Sequence, residues 1–303
     1  MADLSVNICG VDFKNPVIPA SGVFGYGREY EEFYPLSKLG GIATKGTTLK
    51  LRTGNPSPRI AETPSGMLNS VGLQNPGIDH FISTELPNLL TKDLLVLANI
   101  AGSTPDECAE VAAKLDSTDV HMIELNISCP NVKQGGAAFG TSCEMAGEVT
   151  RKVREATKKP LVVKLSPNVT SITEIAKSVE AAGADAVSLI NTLLGMRIDV
   201  NSGRPILRNN VGGMSGPAVF PIAVRMVWQV ANAVNIPIIG MGGVSSGRDA
   251  IELMMAGASA VQVGAAIYTD PFAPVKIIDE MNEFLDQKGI KSVKEIIGAV
   301  KPW

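Results

Sequence analysis

The sequence has few of the features that mark secreted, membrane-spanning or nucleic-acid-binding proteins. Its four cysteines are widely spaced and form no Cys-x-x-Cys pair, which argues against a zinc or iron–sulfur site in this chain. Aromatic residues make up only 5% of the chain, and a net charge of −3 gives no attraction for nucleic acid or an anionic membrane. No apolar run approaches the ~20 residues that span a bilayer, and the start lacks the pattern of a secretory signal. We expect a soluble cytoplasmic protein with no metal site.

Eight short apolar runs are distributed along the 303 residues, each followed by a loop rich in Gly or Asn, and most then by an amphipathic segment. Continuous apolar runs, without polar alternation, are typical of parallel strands that are covered on both faces. The length allows two domains or one barrel of about 250 residues with additions. The runs lie at 16–21, 41–45, 94–100, 122–128, 161–166, 186–191, 236–243 and 260–266.

This alternation predicts an α/β protein, a (β/α)8 TIM barrel, with residues 1–303 in a single domain. An open doubly wound sheet is the alternative, but no Gly-x-Gly-x-x-Gly follows the first strand. The start of the chain predicts an N-terminal hairpin at the bottom of the barrel. Extended loops at 46–77 and 192–217 should rise over the opposite end, and the Gly- and Ala-rich segment 130–143 could act as a mobile lid.

Polar residues occupy most of the predicted strand ends. Because the carboxyl ends of barrel strands converge, these side chains should meet at one site. A lysine buried there without a carboxylate should face a bound anion or another polar ligand. The residues are Ser21, Lys45, Asn99, Asn126, Lys164 and Asn191.

Glycines after the last two strands predict a phosphate site. Gly242–Gly243 and Gly264 each precede a helical segment, and such loops bind phosphates through backbone amides. Flavin mononucleotide, sugar phosphates and pyridoxal phosphate all fit this pattern. The two lysines favour a flavin, since a lysine can stabilise a reduced anionic ring, whereas an aldolase needs one Schiff-base lysine.

The segment NISCPNVKQGG contains the candidate base. Cys129 lies between Asn126 and Asn131, on a loop over the predicted mouth, where a thiol can accept a proton. Asparagine amides there, with Asn69 and Thr192, would suit a cyclic imide whose N–H and C=O groups alternate.

The remaining cysteines and the two histidines carry no such pattern. Cys9, Cys108 and Cys143 are expected to be small buried hydrophobic residues. His80 and His121 have no partner at a useful spacing, and both are expected to be structural or at the surface.

These motifs together resemble the catalytic subunits of dihydroorotate dehydrogenases. The resemblance covers nearly the whole chain, through NPVIPASG, KGTT, GNPSPR, NSVGLQNPG, NISCPNV, GGMSGPA, GMGG and VGAA. It implies one FMN per chain and oxidation of dihydroorotate to orotate in pyrimidine (UMP) synthesis. It also implies that Cys129 removes the C5 proton while hydride passes from C6 to flavin N5.

The resemblance also implies two sets of binding residues. Those expected to hold the substrate are Lys45, Asn69, Ser70, Val71, Gly72, Leu73, Asn126, Asn131, Asn191 and Thr192. Those expected to hold FMN are Ser21, Lys45, Gly46, Asn99, Asn126, Lys164, Ile190, Gly216, Gly242, Gly243, Gly264 and Ala265.

Three types of dihydroorotate dehydrogenase differ in electron acceptor. Quinone-linked relatives have Ser at the position of Cys129 and an N-terminal membrane-associating extension, and this chain has neither. The stretch 191–219 is similar to the NAD-linked type (class 1B), in which a partner subunit carries FAD and a [2Fe–2S] cluster in a heterotetramer of two catalytic and two electron-transfer chains. The fumarate-reducing class 1A homodimer remains an alternative.

Three further functions stay open on the residues alone. One is a dihydropyrimidine dehydrogenase-like activity, since that flavin barrel also uses a cysteine and several asparagines. Another is a flavin-free lyase or isomerase that binds a phosphorylated ligand. The third is a barrel without catalytic activity that serves as a binding subunit.

Overall fold

The computed structural model describes residues 2–128 and 139–303, and its centre is a nearly closed barrel of eight parallel strands. The strands are β1 Val17–Pro19, β2 Gly41–Ala43, β3 Leu95–Ile100, β4 Met122–Asn126, β5 Leu161–Lys164, β6 Ala186–Leu189, β7 Ile238–Met241 and β8 Ala260–Val263. Neighbouring strands pair in the order β1-β8-β7-β6-β5-β4-β3-β2. The Gly40 amide donates to the Val17 carbonyl at 3.0 Å, which joins the edge of β1 to the start of β2. The prediction of a (β/α)8 barrel with eight strands is therefore confirmed.

Helices cover the outside of the barrel, and four of them begin at a Ser or Thr whose side chain accepts a backbone N–H. These caps are Thr104, Ser142, Ser171 and Ser246. Such caps satisfy orphan amides at a helix start. The helices are Ile78–His80 and Leu86–Leu90, joined by a π-helical turn Phe81–Glu85, then Pro105–Asp116, Cys143–Ala156, Ile172–Ala181, Phe220–Ala231, Gly247–Met255, Ala266–Thr269 and Ala273–Lys288. Short 3-10 turns lie at Arg28–Tyr30, Leu36–Lys38, Phe139–Thr141, Pro217–Val219 and Val293–Ile296.

The predicted N-terminal hairpin lies at the amino-terminal end of the strands. Val6–Ile8 pairs antiparallel with Val11–Phe13, and the Phe13 ring is fully buried beside the start of β2. The Cys9 thiol donates to the carbonyl of Asp185, the residue just before β6, at 3.2 Å. The hairpin therefore closes the bottom of the barrel with apolar side chains.

The two long loops lie over the opposite end and contain strands that the sequence did not predict. Ile60–Thr63 and Gly66–Asn69 from the first loop join Leu193–Gly195 and Gly212–Ser215 from the second in one antiparallel sheet. A second small hairpin, Ile198–Asp199 with Arg204–Pro205, extends from this sheet. Within the described residues, no helix is long and apolar enough to cross a membrane.

The cysteines differ in burial. Cys108 is buried, and burial raises the pKa of its thiol to about 12; Cys9 is half-buried, with its pKa raised to about 11. Cys143 is exposed, so its expected burial was wrong. It is the first residue after the Ser142 cap, and at that position the side chain faces outward from the helix start.

The two histidines are structural or at the surface, as expected. His80 is half-exposed and contacts the Glu85 carboxylate at 3.3 Å. His121 Nδ1 accepts the Val96 amide at 3.1 Å, and burial lowers the pKa of this imidazole.

Candidate active site

One cavity opens at the carboxyl ends of the strands, where both long loops meet the barrel. Most of the residues that the sequence predicted for substrate and cofactor lie around it. They are Ser21, Lys45, Gly46, Asn69, Val71, Gly72, Leu73, Asn126, Lys164, Ile190, Asn191, Thr192, Gly216, Gly242, Gly243, Gly264 and Ala265. Residues more than 200 positions apart in sequence thus share one site.

Two asparagines on one side of the cavity are oriented by Ser128. Asn126 Oδ1 accepts from the Ser128 amide and hydroxyl at 3.0 and 2.8 Å. Asn191 Nδ2 donates to the Ser128 carbonyl at 2.9 Å. Asn126 therefore has N–H donors left for the cavity, and Asn191 has a carbonyl oxygen left. This wall can thus bind both a hydrogen-bond acceptor and a hydrogen-bond donor of a ligand.

The lysines lie on the barrel side of the cavity. Lys164, at the end of β5, is 4% exposed and lines the cavity, and its ammonium makes no hydrogen bond or ion pair with a described residue. Lys45 Nζ approaches the position that a Cβ of Gly22 would occupy, at 3.9 Å. A buried ammonium that faces a cavity favours an anionic or strongly accepting ligand.

The glycine-rich end of the cavity is packed too tightly for side chains. A Cβ on Gly243 would lie 2.8 Å from the Gly216 carbonyl oxygen, and Gly243 has φ +79°. Gly242 has φ +121°, and its Cβ would lie 3.0 Å from Ile190. Backbone can thus approach a ligand closely here, and the capped helix Gly247–Met255 begins just beyond.

Thr192 is held by the sheet over the mouth. A Cβ on Gly213 would lie 2.0 Å from Thr192 Oγ1, so only glycine allows the strand Gly212–Ser215 to pass this close. The Thr192 carbonyl also accepts from Asn168 Nδ2 at 3.0 Å.

Of the predicted site residues that the structure describes, two do not line the cavity. Ser70 is fully buried, and its backbone N–H donates to the Arg59 carbonyl at 2.8 Å. Asn99 lies beneath Gly46, because a Cβ on Gly46 would be 2.8 Å from Asn99 Oδ1. Cys129 and Asn131 lie outside the described residues, as does most of the predicted lid 130–143. The end of that segment forms the turn Phe139–Thr141 and the start of the helix at Cys143.

Comparisons with known proteins agree with this geometry. The sequence profile of the family described as dihydroorotate dehydrogenase matches residues 3–285. The chain belongs to this family. A catalytic subunit of dihydroorotate dehydrogenase B (NAD(+)) from Bacteroides thetaiotaomicron is 57% identical over 99% of this chain and 100% of its own length. A protein of the same name from Anoxybacillus flavithermus is 55% identical over 98% of this chain and 96% of its own length.

A solved structure supports the fold. The crystal structure of the Eimeria tenella DHODH in complex with ferulenol superposes with a TM-score of 0.83, covering 98% of this chain and 88% of that one. Its sequence is 24% identical, so this similarity concerns the barrel and its topology.

Members of the dihydroorotate dehydrogenase family are flavin enzymes, and the cavity has groups that fit FMN. The oxygens Asn99 Oδ1 and Gln262 Oε1 are buried and find no hydrogen-bond partner among the described residues. Buried acceptors without donors are destabilising, and the hydroxyl and N–H groups of a flavin can supply donors. The amides at 242–243 and 264–265 fit its phosphate, and Lys164 fits an electron-rich ring.

Several lining residues were not predicted from the sequence. They are Ala20, Gly22, Val23, Ile60, Met67, Met214, Ser215, Val219, Met241, Gln262 and Tyr268. Most are apolar and look like ordinary core residues in the sequence. Gln262 had a signal, since it is a polar residue within the apolar run of β8, and Glu124 has the same signal in β4. In the part of the chain that the structure describes, no group of three metal-ligating side chains comes together.

Proposed function

We propose that this chain is the FMN-containing catalytic subunit of an NAD-linked dihydroorotate dehydrogenase, which oxidises dihydroorotate to orotate in pyrimidine biosynthesis. The observation that carries the proposal is the single cavity in which glycine backbone, buried Lys164 and amide side chains come together at the carboxyl ends of the strands. Relatives named as such subunits are 55–57% identical over nearly the whole chain, and this similarity supports the same activity. Residues 1–303 would act as one flavin-binding domain.

The flavin site would use the residues on the barrel side of the cavity. The amides of Gly242, Gly243, Gly264 and Ala265 would hold the phosphate, since all four residues line the cavity and precede helical segments. Lys164 would face the ring, where its charge would stabilise the negative charge that develops on reduction. When bound, FMN supplies the hydride acceptor.

The substrate would bind on the mouth side, between the barrel and the loop sheet. Asn126 would donate to a ring carbonyl of dihydroorotate and Asn191 would accept from a ring N–H, following the orientations that Ser128 imposes. Asn69, Thr192 and the 71–73 backbone would complete this wall, with Lys45 near the carboxylate. Several hydrogen bonds in a water-poor site fix one orientation of the ring.

Cys129 would remove the C5 proton. It follows Ser128 directly in the chain, and Ser128 is buried at the end of β4 beside the two asparagines. A thiolate at this point can take the proton as hydride leaves C6, so neither a free carbanion nor a free cation has to form. Donors on the neighbouring carbonyl would stabilise any enolate character. We propose that Asn131 also contacts the substrate and that 130–143 closes over it.

Electrons would leave through a second polypeptide. The relatives are named NAD(+)-linked catalytic subunits, and a catalytic subunit implies a partner. We propose that the partner carries FAD and a [2Fe–2S] cluster, that two of each chain form a heterotetramer, and that the complex works in the cytoplasm.

Steady-state assays test the substrate and the cofactor together. The purified protein should be yellow and should turn over dihydroorotate much faster than dihydrouracil. Faster turnover of dihydrouracil would support the dihydropyrimidine dehydrogenase-like alternative. A correctly folded but colourless protein that does not bind added FMN would contradict the flavin assignment and favour a flavin-free lyase or isomerase.

Reduction by NADH tests the partner. Mixing the isolated chain anaerobically with NADH should leave the flavin absorbance unchanged, and adding the electron-transfer subunit should bleach it. Rapid bleaching without that subunit would contradict the proposal. Rapid reoxidation of the reduced isolated chain by fumarate would instead support the homodimeric class.

A further inference from the structure

A buried carboxylate lies inside the barrel beneath the cavity. Glu124 on β4 is fully buried and forms no ion pair within the described part of the chain. It accepts three hydrogen bonds, from Asn99 Nδ2 at 2.5 Å, Ser188 Oγ at 2.8 Å and Gln262 Nε2 at 2.7 Å. These donors come from β3, β6 and β8, and β8 is directly across the barrel from β4. The carboxylate therefore joins strands from all sides of the interior.

This contact decides which way two amide side chains face. Asn99 and Gln262 each point their NH₂ group at a carboxylate oxygen of Glu124, because in both hydrogen bonds the amide nitrogen donates. Their oxygens then point elsewhere. Both oxygens are buried, and neither finds a donor among the described residues. Asn99 Oδ1 lies under Gly46, which lines the cavity, and Gln262 lines the cavity itself.

We propose that Glu124 is a positioning residue that sets the hydrogen-bond polarity of the cofactor site. By taking the NH₂ groups of Asn99 and Gln262, it leaves their two oxygens as buried acceptors at the edge of the cavity, Asn99 Oδ1 beneath Gly46 and Gln262 Oε1 on a lining residue, and these favour the hydroxyl and N–H donors of the bound flavin. Glu124 acts through the two amides and does not touch the ligand itself. This inference rests on the proposed binding of FMN, but it concerns which residue orients the site.

The isosteric variant Glu124→Gln tests the proposal. A glutamine at 124 has one acceptor oxygen in place of two, so at least one of the two amides must turn and present N–H to the cavity. The expected result is a rise of roughly ten- to hundredfold in the Kd of FMN, as for the loss of one or two hydrogen bonds with a buried partner. Fluorescence titration of the apoprotein with FMN measures it without any turnover.

Ser188→Ala is the matched control. It removes one hydrogen bond from the same carboxylate but leaves both amides facing as before, and Ser188 does not line the cavity. We expect this variant to lose thermal stability yet to bind FMN within about twofold of wild type. A purely structural role for Glu124 predicts instead that both variants lose FMN affinity in proportion to their loss of stability.

A rescue variant makes the test stricter. In Glu124→Gln combined with Gln262→Glu, the glutamine at 124 can donate to the carboxylate at 262 and still accept from Asn99. The acceptors at 99 and 262 are then both restored, and FMN affinity should recover to within about fivefold of wild type. If E124Q does not fold, Gln262→Met tests the same acceptor, because it keeps the chain length and removes the oxygen.

Two results would overturn the proposal: a folded E124Q (or Q262M) protein that binds FMN as wild type does, or an S188A protein that loses as much affinity as E124Q. Failure of the proposed function looks different. In that case wild-type protein itself would bind no FMN or would not oxidise dihydroorotate.

Discussion

Replacement of Gly243 by alanine should damage the phosphate end of the cavity. Gly243 has φ +79°, and a Cβ there would lie 2.8 Å from the Gly216 carbonyl oxygen, 2.8 Å from Phe220 Cβ and 2.9 Å from Phe220 N. Two of these three contacts are with backbone atoms, which cannot rotate away. The loop must move to accept the methyl group, and the 242–243 amides move with it.

The magnitude follows from two contributions. A left-handed conformation costs a residue with a Cβ about 1–2 kcal/mol. Overpacking against a rigid wall costs about 1–3 kcal/mol more. If the loop moves to relieve this strain, a bound phosphate requires it to return to the strained conformation. The total of about 2–5 kcal/mol is then lost from the free energy of FMN binding. At about 1.4 kcal/mol for each factor of ten, the Kd of FMN should rise by roughly thirty-fold to several thousandfold.

Titration of apoprotein with FMN measures the effect, and Gly289→Ala provides the control. Gly289 ends the helix Ala273–Lys288 with φ +68°, and no atom lies within 4 Å of the point where its methyl group would stand. This variant has the same backbone cost without the crowding, so it should lose about 1 kcal/mol of stability and keep its FMN affinity. A folded Gly243→Ala protein with FMN affinity within threefold of wild type would refute the phosphate assignment.

Three other outcomes are expected. The Cys129→Ala protein should bind FMN and orotate normally, but dihydroorotate should reduce its flavin roughly 10²–10⁴-fold more slowly than in wild type, as measured by stopped flow. An unchanged rate would exclude Cys129 as the base. Ser246→Ala removes the capping hydrogen bond to the Asp249 amide and should cost about 1 kcal/mol, or about 1–3 °C in Tm by calorimetry. Burial lowers the pKa of His121, so the folded state binds a proton less readily than the unfolded state, and stability should fall as the pH drops through about 6.5. Urea unfolding at pH 7.5 and 5.0 should show a smaller loss for His121→Gln than for wild type, and equal losses would contradict this cause.

The barrel could be predicted because its local signals agree with its global topology. Each strand is covered on both faces, so it appears as a continuous apolar run, and four helices begin at a Ser or Thr cap. The polar ends of the strands were equally visible, since a lysine such as Lys164 closing an apolar run has no structural explanation within the run itself.

The sheet over the mouth could not be predicted. Its strands are three or four residues long and include several glycines, so neither alternation nor β-propensity is evident. Their stability comes from pairing between two loops, as where Asn69 aligns with Gly213, 144 residues further along the chain. Such pairing depends on where the barrel places both loops, so the local sequence of either loop does not predict it.

The polar side chains beneath and at the edge of the cavity, Glu124, Ser188 and Gln262, were not predicted for a related reason. Glu124 and Gln262 each stand alone within an apolar run, and their partners lie on strands that meet only when the barrel closes. In barrels, a layer of interior side chains comes from alternate strands, and Glu124, Ser188 and Gln262 on β4, β6 and β8 fit such a layer. Lys164 and Met241, on the odd-numbered strands β5 and β7, line the cavity above it.

This layering explains how the barrel accommodates a buried carboxylate at its centre. A lone buried carboxylate would be strongly destabilising, but three donors from three strands compensate Glu124. Replacing it alone by an apolar residue would leave those donors unpaired at once, and replacing any donor would leave the carboxylate short of one hydrogen bond. The side chains at 99, 124, 188 and 262 therefore depend on one another for their hydrogen bonds, and none can be changed alone without loss of stability. Because two of the four also leave oxygens at the edge of the cavity, the same dependence links the stability of the interior to the chemistry of the ligand above it.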